Sequence, residues 1–169
     1  KKILVSFGGS DTENQTLIAL NSIKKMNRKI DVDVVVGKAN KCKKTLKIFC
    51  NRNNHFTYHE QIDDIADLML SSDLSIGSSG STTWERCILG LPAIVSISSN
   101  DQMDIANSLS QKKCIINLGD AKKLTETNYI NVITNLKKND LRNMSKNSMS
   151  LVDGNGTQRI LKHILLMVK

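Results

Sequence analysis

Aromatic residues are scarce in this chain, with one tryptophan, two tyrosines and three phenylalanines among 169 residues. Surfaces that bind single-stranded nucleic acid interleave aromatics with basic residues, and no arginine-rich stripe is present either. The formal charge of +8 is spread over segments such as Lys24-Lys25, Lys43-Lys44, Lys112-Lys113 and Lys122-Lys123. Solvated surface charge is the expected reading, and no nucleic-acid partner is expected. No apolar run approaches the roughly 18–20 residues of a membrane helix, and no cleavable leader is visible, so no transmembrane segment is expected. The four cysteines, Cys42, Cys50, Cys87 and Cys114, lie scattered through a chain that is 40% hydrophobic. Such a chain builds its core without a disulfide framework, and free thiols in a reducing cytoplasm are expected.

Several chemical signatures are also missing. "GGSDTE" lacks the G-x-G-x-x-G spacing of a dinucleotide fingerprint, and the second apolar run ends at Gly37 with no acidic residue for a ribose. No G-x-x-x-x-G-K-[ST] phosphate loop occurs. Cys42, Cys50, His55 and His59 do not have the short spacing of a zinc knuckle, so no metal is expected. No Ser/His/Asp order or carboxylate pair stands out, and no cofactor is implied. The chain begins Lys1-Lys2 and enters an apolar run at once, without an initiator Met; a piece of a larger protein is expected.

What is present is alternation. Short apolar runs at Ile3–Phe7, Val32–Val36, His55–Tyr58, Leu74–Ile76, Ala93–Ile97 and Cys114–Ile116 read as strands. Between them, residues 13–27, 41–51, 62–71, 82–89 and 101–111 have helical period. Leu17, Leu20, Ile23 and Lys24 share one stripe of the first helix, and Ile62, Ile65, Ala66 and Met69 face inward on the third. After the last strand the chain is helical to its end, broken at Asp153-Gly154-Asn155-Gly156. Strands alternating with helices predict an α/β, doubly wound (Rossmann-like) parallel sheet of about six strands with helices on both faces. Residues 1–169 read as one domain. Ligands of such sheets lie beyond the carboxyl ends of the strands, where Gly8–Asp11, Gly77–Thr83 and Ser98–Gln102 fall.

These loops carry the chemistry. The Gly8-Gly9 turn delivers Ser10 and backbone N–H groups at a helix start, which attracts anions. A tight turn capped by Ser10 or Asp11 is the plain alternative. "SIGSSGSTTWE", residues 75–85, brings Ser79, Gly80, Ser81 and Thr82 to a second helix start. Two such starts facing one crevice could neutralise a pyrophosphate without a metal. Glu85 has two readings: the carboxylate of a Thr82-x-x-Glu85 capping box, or the acceptor for two ribose hydroxyls.

"ILVSFGGSD", "HEQIDDIADLMLSSDLSIGSSGSTTWERCILGLPAIVSISSNDQMDIANSL" and "VDGNGTQRI", in that order, resemble the C-terminal half of a GT-B enzyme. The likeness is densest over residues 58–109 and is strongest to the UDP-sugar hydrolase family of pseudaminic acid synthesis. That family is related to the peptidoglycan transferase that uses UDP-N-acetylglucosamine. The resemblance implies a UDP-sugar ligand, with Gly8, Gly9, Ser10, Ser79, Gly80, Ser81 and Thr82 around the diphosphate. It further implies the Ile62 backbone at the uracil and Glu85 at the ribose. Asn100, Asp101 and Gln102 would face the sugar, although asparagine is displaced by one from the Asn-Gln pair of the family, which leaves the sugar open. Arg159 belongs to the closing segment, or simply pairs with a carboxylate. The activating histidine would lie in an N-terminal domain, the partner of this chain, so no catalytic residue is expected here. Release of UDP and a free amino-sugar is the first reading of the whole protein. The donor-binding half of a GT-B glycosyltransferase is the alternative, and a non-catalytic basic binding module is the third.

Overall fold

The computed structural model describes residues 1–167. Six strands alternate with helices: β1 (Lys2–Ser6), α1 (Gln15–Lys25), β2 (Asp31–Val36), α2 (Lys43–Asn51), β3 (Phe56–Glu60), α3 (Ala66–Leu70), β4 (Leu74–Ser78), α4 (Thr82–Ile88) and β5 (Ala93–Ile97). A short 3-10 turn, Asn100–Gln102, leads into α5 (Met103–Gln111). Then follow β6 (Ile115–Asp120), α6 (Glu126–Asn135), α7 (Lys138–Met149) and α8 (Gly156–Met167). The strands form one parallel sheet in the order β3-β2-β1-β4-β5-β6. The direction of winding reverses between β1 and β4, so the crevice of a doubly wound sheet opens above that pair.

β-Branched residues make the central strands, and burial on both faces leaves no polar alternation in most of them. Ile3, Val5, Val32, Val34, Val36, Ile76 and Ile94 turn to one face, against Ala19, Leu20 and Ile23 of α1, Leu46 of α2, and Tyr129 and Ile133 of α6. Leu4 and Val35 turn to the other, against Met69 of α3 and Leu91. On the same side Ala93 and Val95 meet Cys87 of α4 and Ala106 and Leu109 of α5. Each large side chain buried this way contributes about 1.5–3 kcal/mol, which makes the sheet a stiff platform for its loops.

Several boundaries differ from the sequence reading. α1 starts at Gln15 and buries Gln15, Thr16 and Ser22 beside Leu20 and Ile23, while Lys24 lies on the exposed side. Gln15 tolerates burial because it is fully engaged: Nε2 donates to the Ala121 carbonyl at 2.8 Å, and Oε1 accepts from the Tyr129 hydroxyl at 2.7 Å. The third helix is short because Asp64 Oδ1 accepts the Ala66 N–H at 2.8 Å and starts the turn there, leaving Ile62 and Ile65 outside it. Both still pack against the Leu4 cluster. β3 runs to Glu60 and β6 to Asp120, further than their apolar runs. α8 stands apart, with none of its described side chains buried. Among the described residues no helix is long and apolar enough to cross a membrane.

Candidate functional site

The loops after β1, β3, β4 and β5 leave the same edge of the sheet. Their spacing is set by two glycines. A Cβ at Gly77 would lie 2.1 Å from the Ser6 carbonyl oxygen, so only glycine lets β4 close on β1 there. A Cβ at Gly37 would lie 2.5 Å from Gly9 Cα and 2.7 Å from the Gly8 carbonyl oxygen. Gly37 does more than end β2: it seats the Gly8-Gly9 turn.

Ser78, at the tip of β4, joins the loops and was not singled out from sequence. Its Oγ lies 3.8 Å from the Cβ position of Gly8 and 4.0 Å from that of Gly80. Gln102 Nε2 lies 3.8 Å from the Gly80 position, and Gln102 Oε1 accepts the Ser98 N–H at 3.1 Å. The two segments required by the sequence reading therefore meet. Gly8, Gly9, Ser10, Ser81, Asn100 and Asp101 are exposed along this rim, with Gly80, Thr82 and Gln102 half-buried. Backbone N–H groups of Gly80, Ser81 and Thr82 make no hydrogen bond among the described residues. Such N–H groups suit an anion.

Two expectations need correction. The start of α1 is not free to hold an anion, because the Asp11 carboxylate already accepts the Gln15 and Thr16 N–H groups at 2.8 and 2.9 Å. The N-cap position falls to Asn14, which makes no side-chain bond there, and Asp11 supplies the capping carboxylate from three residues upstream. Ser79 does not present its hydroxyl to the crevice. It is fully buried, and its N–H bonds the Ser96 carbonyl at 3.3 Å because β4 continues its pairing with β5.

Glu85 is exposed, and its carboxylate makes no hydrogen bond or ion pair among the described residues. The Thr82–Glu85 capping box does not form: Ser81 is the N-cap and already helical (φ −56°, ψ −35°), which puts Thr82 inside α4. One residue of offset removes the box. Ile62 follows Gln61, whose N–H bonds the Val36 carbonyl at 3.1 Å, so its backbone lies in the loop at the end of β3.

Arg86, the residue after Glu85, is only 2% exposed. Its Nη2 donates to the Ser78 carbonyl at 2.7 Å and to Thr83 Oγ1 at 2.9 Å, and its Nη1 lies 3.1 Å from the Gly77 Cβ position. Burial pulls the guanidinium down to about 10, which leaves it charged at neutral pH.

A separate polar cluster crosses β1, β2 and β3. His59 Nε2 lies 2.8 Å from Asp33 Oδ1, and Lys2 Nζ lies 2.8 Å from Oδ2 as an ionic contact poorly aligned for a hydrogen bond. Burial raises the Asp33 carboxyl, but Lys2 and His59 outweigh it and hold it below its ordinary value. His55 pairs with Asp31 at 2.9 Å, and burial pushes the Cys50 thiol up to about 11. Among the described residues no three His, Cys, Asp or Glu side chains gather as a metal site. Arg159 pairs with Asp153 at 2.6 Å. A concavity of about 630 Å³ lies elsewhere, between β6, α6 and α7, on a floor that includes Ile115, Ile116 and Met144. A smaller hollow of about 190 Å³ beside Asn100 lies at the ends of β5 and β6, against Ser98, Met103 and Asp120.

The fold has solved counterparts. MurG of Acinetobacter baumannii superposes with a TM-score of 0.78 at 16% identity, covering 97% of this chain and 51% of that one. MnaA of S. aureus, in a co-structure with UDP, gives 0.78 at 18% identity, covering 99% and 46%. The chain is 24% identical over 165 residues to the spore coat polysaccharide biosynthesis protein SpsG of Bacillus subtilis, covering 95% of this chain and 48% of that one. It thus spans about half the length of these proteins. The profile of the glycosyltransferase family 28 C-terminal domain matches residues 3–164, and the chain belongs to that family.

Proposed function

We propose that the chain is the nucleotide-sugar-binding half of a GT-B enzyme and that a UDP-sugar occupies the crevice above β1 and β4. The meeting of Gly8, Ser78, Gly80 and Gln102 at the point where the sheet reverses carries this reading. Membership of the family and the fold shared with UDP-bound MnaA support it. The Gly8-Gly9-Ser10 turn and the Gly80-Ser81-Thr82 backbone flank the diphosphate. Glu85 takes the ribose hydroxyls, the Ile62 backbone meets the uracil, and Asn100, Asp101 and Gln102 face the sugar. Ser79 acts only through the backbone of that loop.

In the reaction, the bond between the anomeric carbon and the diphosphate breaks, and charge builds on the leaving UDP. Backbone N–H donors aimed at that charge lower the barrier without a metal. The whole protein transfers the glycosyl group to an acceptor. A second reading, hydrolysis with water as acceptor, is favoured by the stretch "SSGSTTWERCILGLPAI", residues 78–94, which resembles the UDP-sugar hydrolases. In either case the group that activates the acceptor lies outside this chain. UDP release by the whole protein, measured with and without a sugar or lipid-linked acceptor, separates the two. Release that needs the acceptor supports transfer, and equal release in water alone supports hydrolysis. A protein that fails to bind UDP in calorimetry sinks both.

A further inference from the structure

The buried guanidinium of Arg86 is at odds with the usual economy of protein interiors. A charge taken out of water needs an opposite charge close by, or the fold loses several kcal/mol. Yet Arg86 forms no ion pair among the described residues. The neighbouring carboxylate, Glu85, is exposed. Among the described residues, only the Ser78 carbonyl and the Thr83 hydroxyl receive hydrogen bonds from the guanidinium, and its Nε is buried without a partner. The two acceptors bracket the loop that runs from β4 into α4, Ser78 as the last residue of the strand and Thr83 in the first turn of the helix, and the guanidinium spans them against Gly77.

We propose that Arg86 is the buried counter-charge of the nucleotide's diphosphate: it shapes the Ser78–Thr83 loop from below, and the bound anion on the far side of that loop supplies the compensation that the fold withholds. This inference rests on the nucleotide-sugar reading above and names a positioning residue within it. Arg86 does not touch the ligand. Its field acts through one layer of backbone, so it distinguishes the charged diphosphate from the neutral nucleoside.

The experiment compares UDP with uridine by calorimetry on the whole protein, as wild type, Arg86→Lys and Arg86→Met. The Arg86→Met protein should bind UDP roughly 10-fold more weakly while its affinity for uridine stays within about 2-fold, a difference typical of coupling between charged groups. Arg86→Lys should recover most of the UDP affinity, because it keeps the charge. Equal weakening toward both ligands would reduce Arg86 to scaffolding and overturn the proposal, as would unchanged UDP affinity in Arg86→Met. Should that variant fail to fold, the Arg86 Nε–Hε resonance of the wild type decides: it should shift on adding UDP and stay in place on adding uridine. A resonance indifferent to UDP overturns the idea. If the wild type binds no UDP at all, the nucleotide reading fails first and this inference falls with it, an outcome visible before any variant is made.

Discussion

Glu85 shows how far one residue can be read. Its spacing from Thr82 fits a capping box equally well on paper, and the choice turns on whether residue 81 or 82 is the N-cap of α4. The helix starts early, so the carboxylate is left in solvent. Glu85→Ala is therefore expected to change unfolding free energy by less than about 0.5 kcal/mol, as for a surface site without partners. Its UDP affinity should fall on the order of 10-fold, in line with the loss of a hydrogen bond to a charged group. Asp11 behaves in the opposite way. Asp11→Ala removes the carboxylate that holds the Gln15 and Thr16 N–H groups, and chemical denaturation should show a loss of about 1 kcal/mol. Asp33 adds a pH dependence. Its folded value lies below the ordinary 3.8, so between those two values the unfolded chain binds more protons. The stabilisation is complete above about pH 3.8 and is lost as pH falls through the folded value. The stability gap between wild type and Asp33→Asn should therefore narrow below that pH in acid titrations followed by circular dichroism. Sequence offered no sign of this cluster, because Lys2, Asp33 and His59 are brought together only by strand pairing.

Among elements, the central strands were legible to within a residue or two, since a buried parallel strand is an unbroken apolar run with few other uses. β5 matches its expected span, and β1 nearly does. Helix starts were harder, because side-chain hydrogen bonds decide them. Asp64 delays α3, and Asp11 with its left-handed backbone (φ 44°) delays α1. Strand ends that carry polar residues were missed for a related reason: Glu60 and Asp120 are held by the ladder regardless of hydropathy. The Gly8-Gly9 turn and the end of β2 pack as one unit through Gly37. Gly37→Ala should drive a methyl into the Gly9 backbone and destabilise the protein by about 1–3 kcal/mol in urea unfolding. UDP binding should weaken in the same variant, because the turn must lift from its seat.

At the scale of the molecule, the sheet order places the Gly8 turn beside the Ser78–Thr82 loop although some 70 residues separate them in the chain. α8 contributes little to this platform. Removing residues after Asn155 should leave the urea unfolding free energy within about 0.5 kcal/mol of the parent, because none of the described α8 side chains is buried. A larger loss would show that the helix packs on the sheet more closely than its exposure indicates. With the exposed Ile160, Leu161, Ile164 and Leu165 removed, the shortened chain is expected to be the more soluble of the two in a precipitation assay.

Sequence by itself determined the class of fold, the edge of the sheet to which the glycine- and hydroxyl-rich segments fall, and the residue types set there. These are written in local pattern: apolar runs, helical period, and glycines and hydroxyls at the ends of strands. Tertiary structure alone decided that Ser79 is buried, that Ser78 joins the loops, that Asp11 fills the start of α1 and that Arg86 is buried against Ser78 and Thr83 with no ion pair among the described residues. Each of these depends on what a distant segment places beside the residue. Burial and hydrogen bonding are properties of neighbours in space, and local pattern carries no record of them.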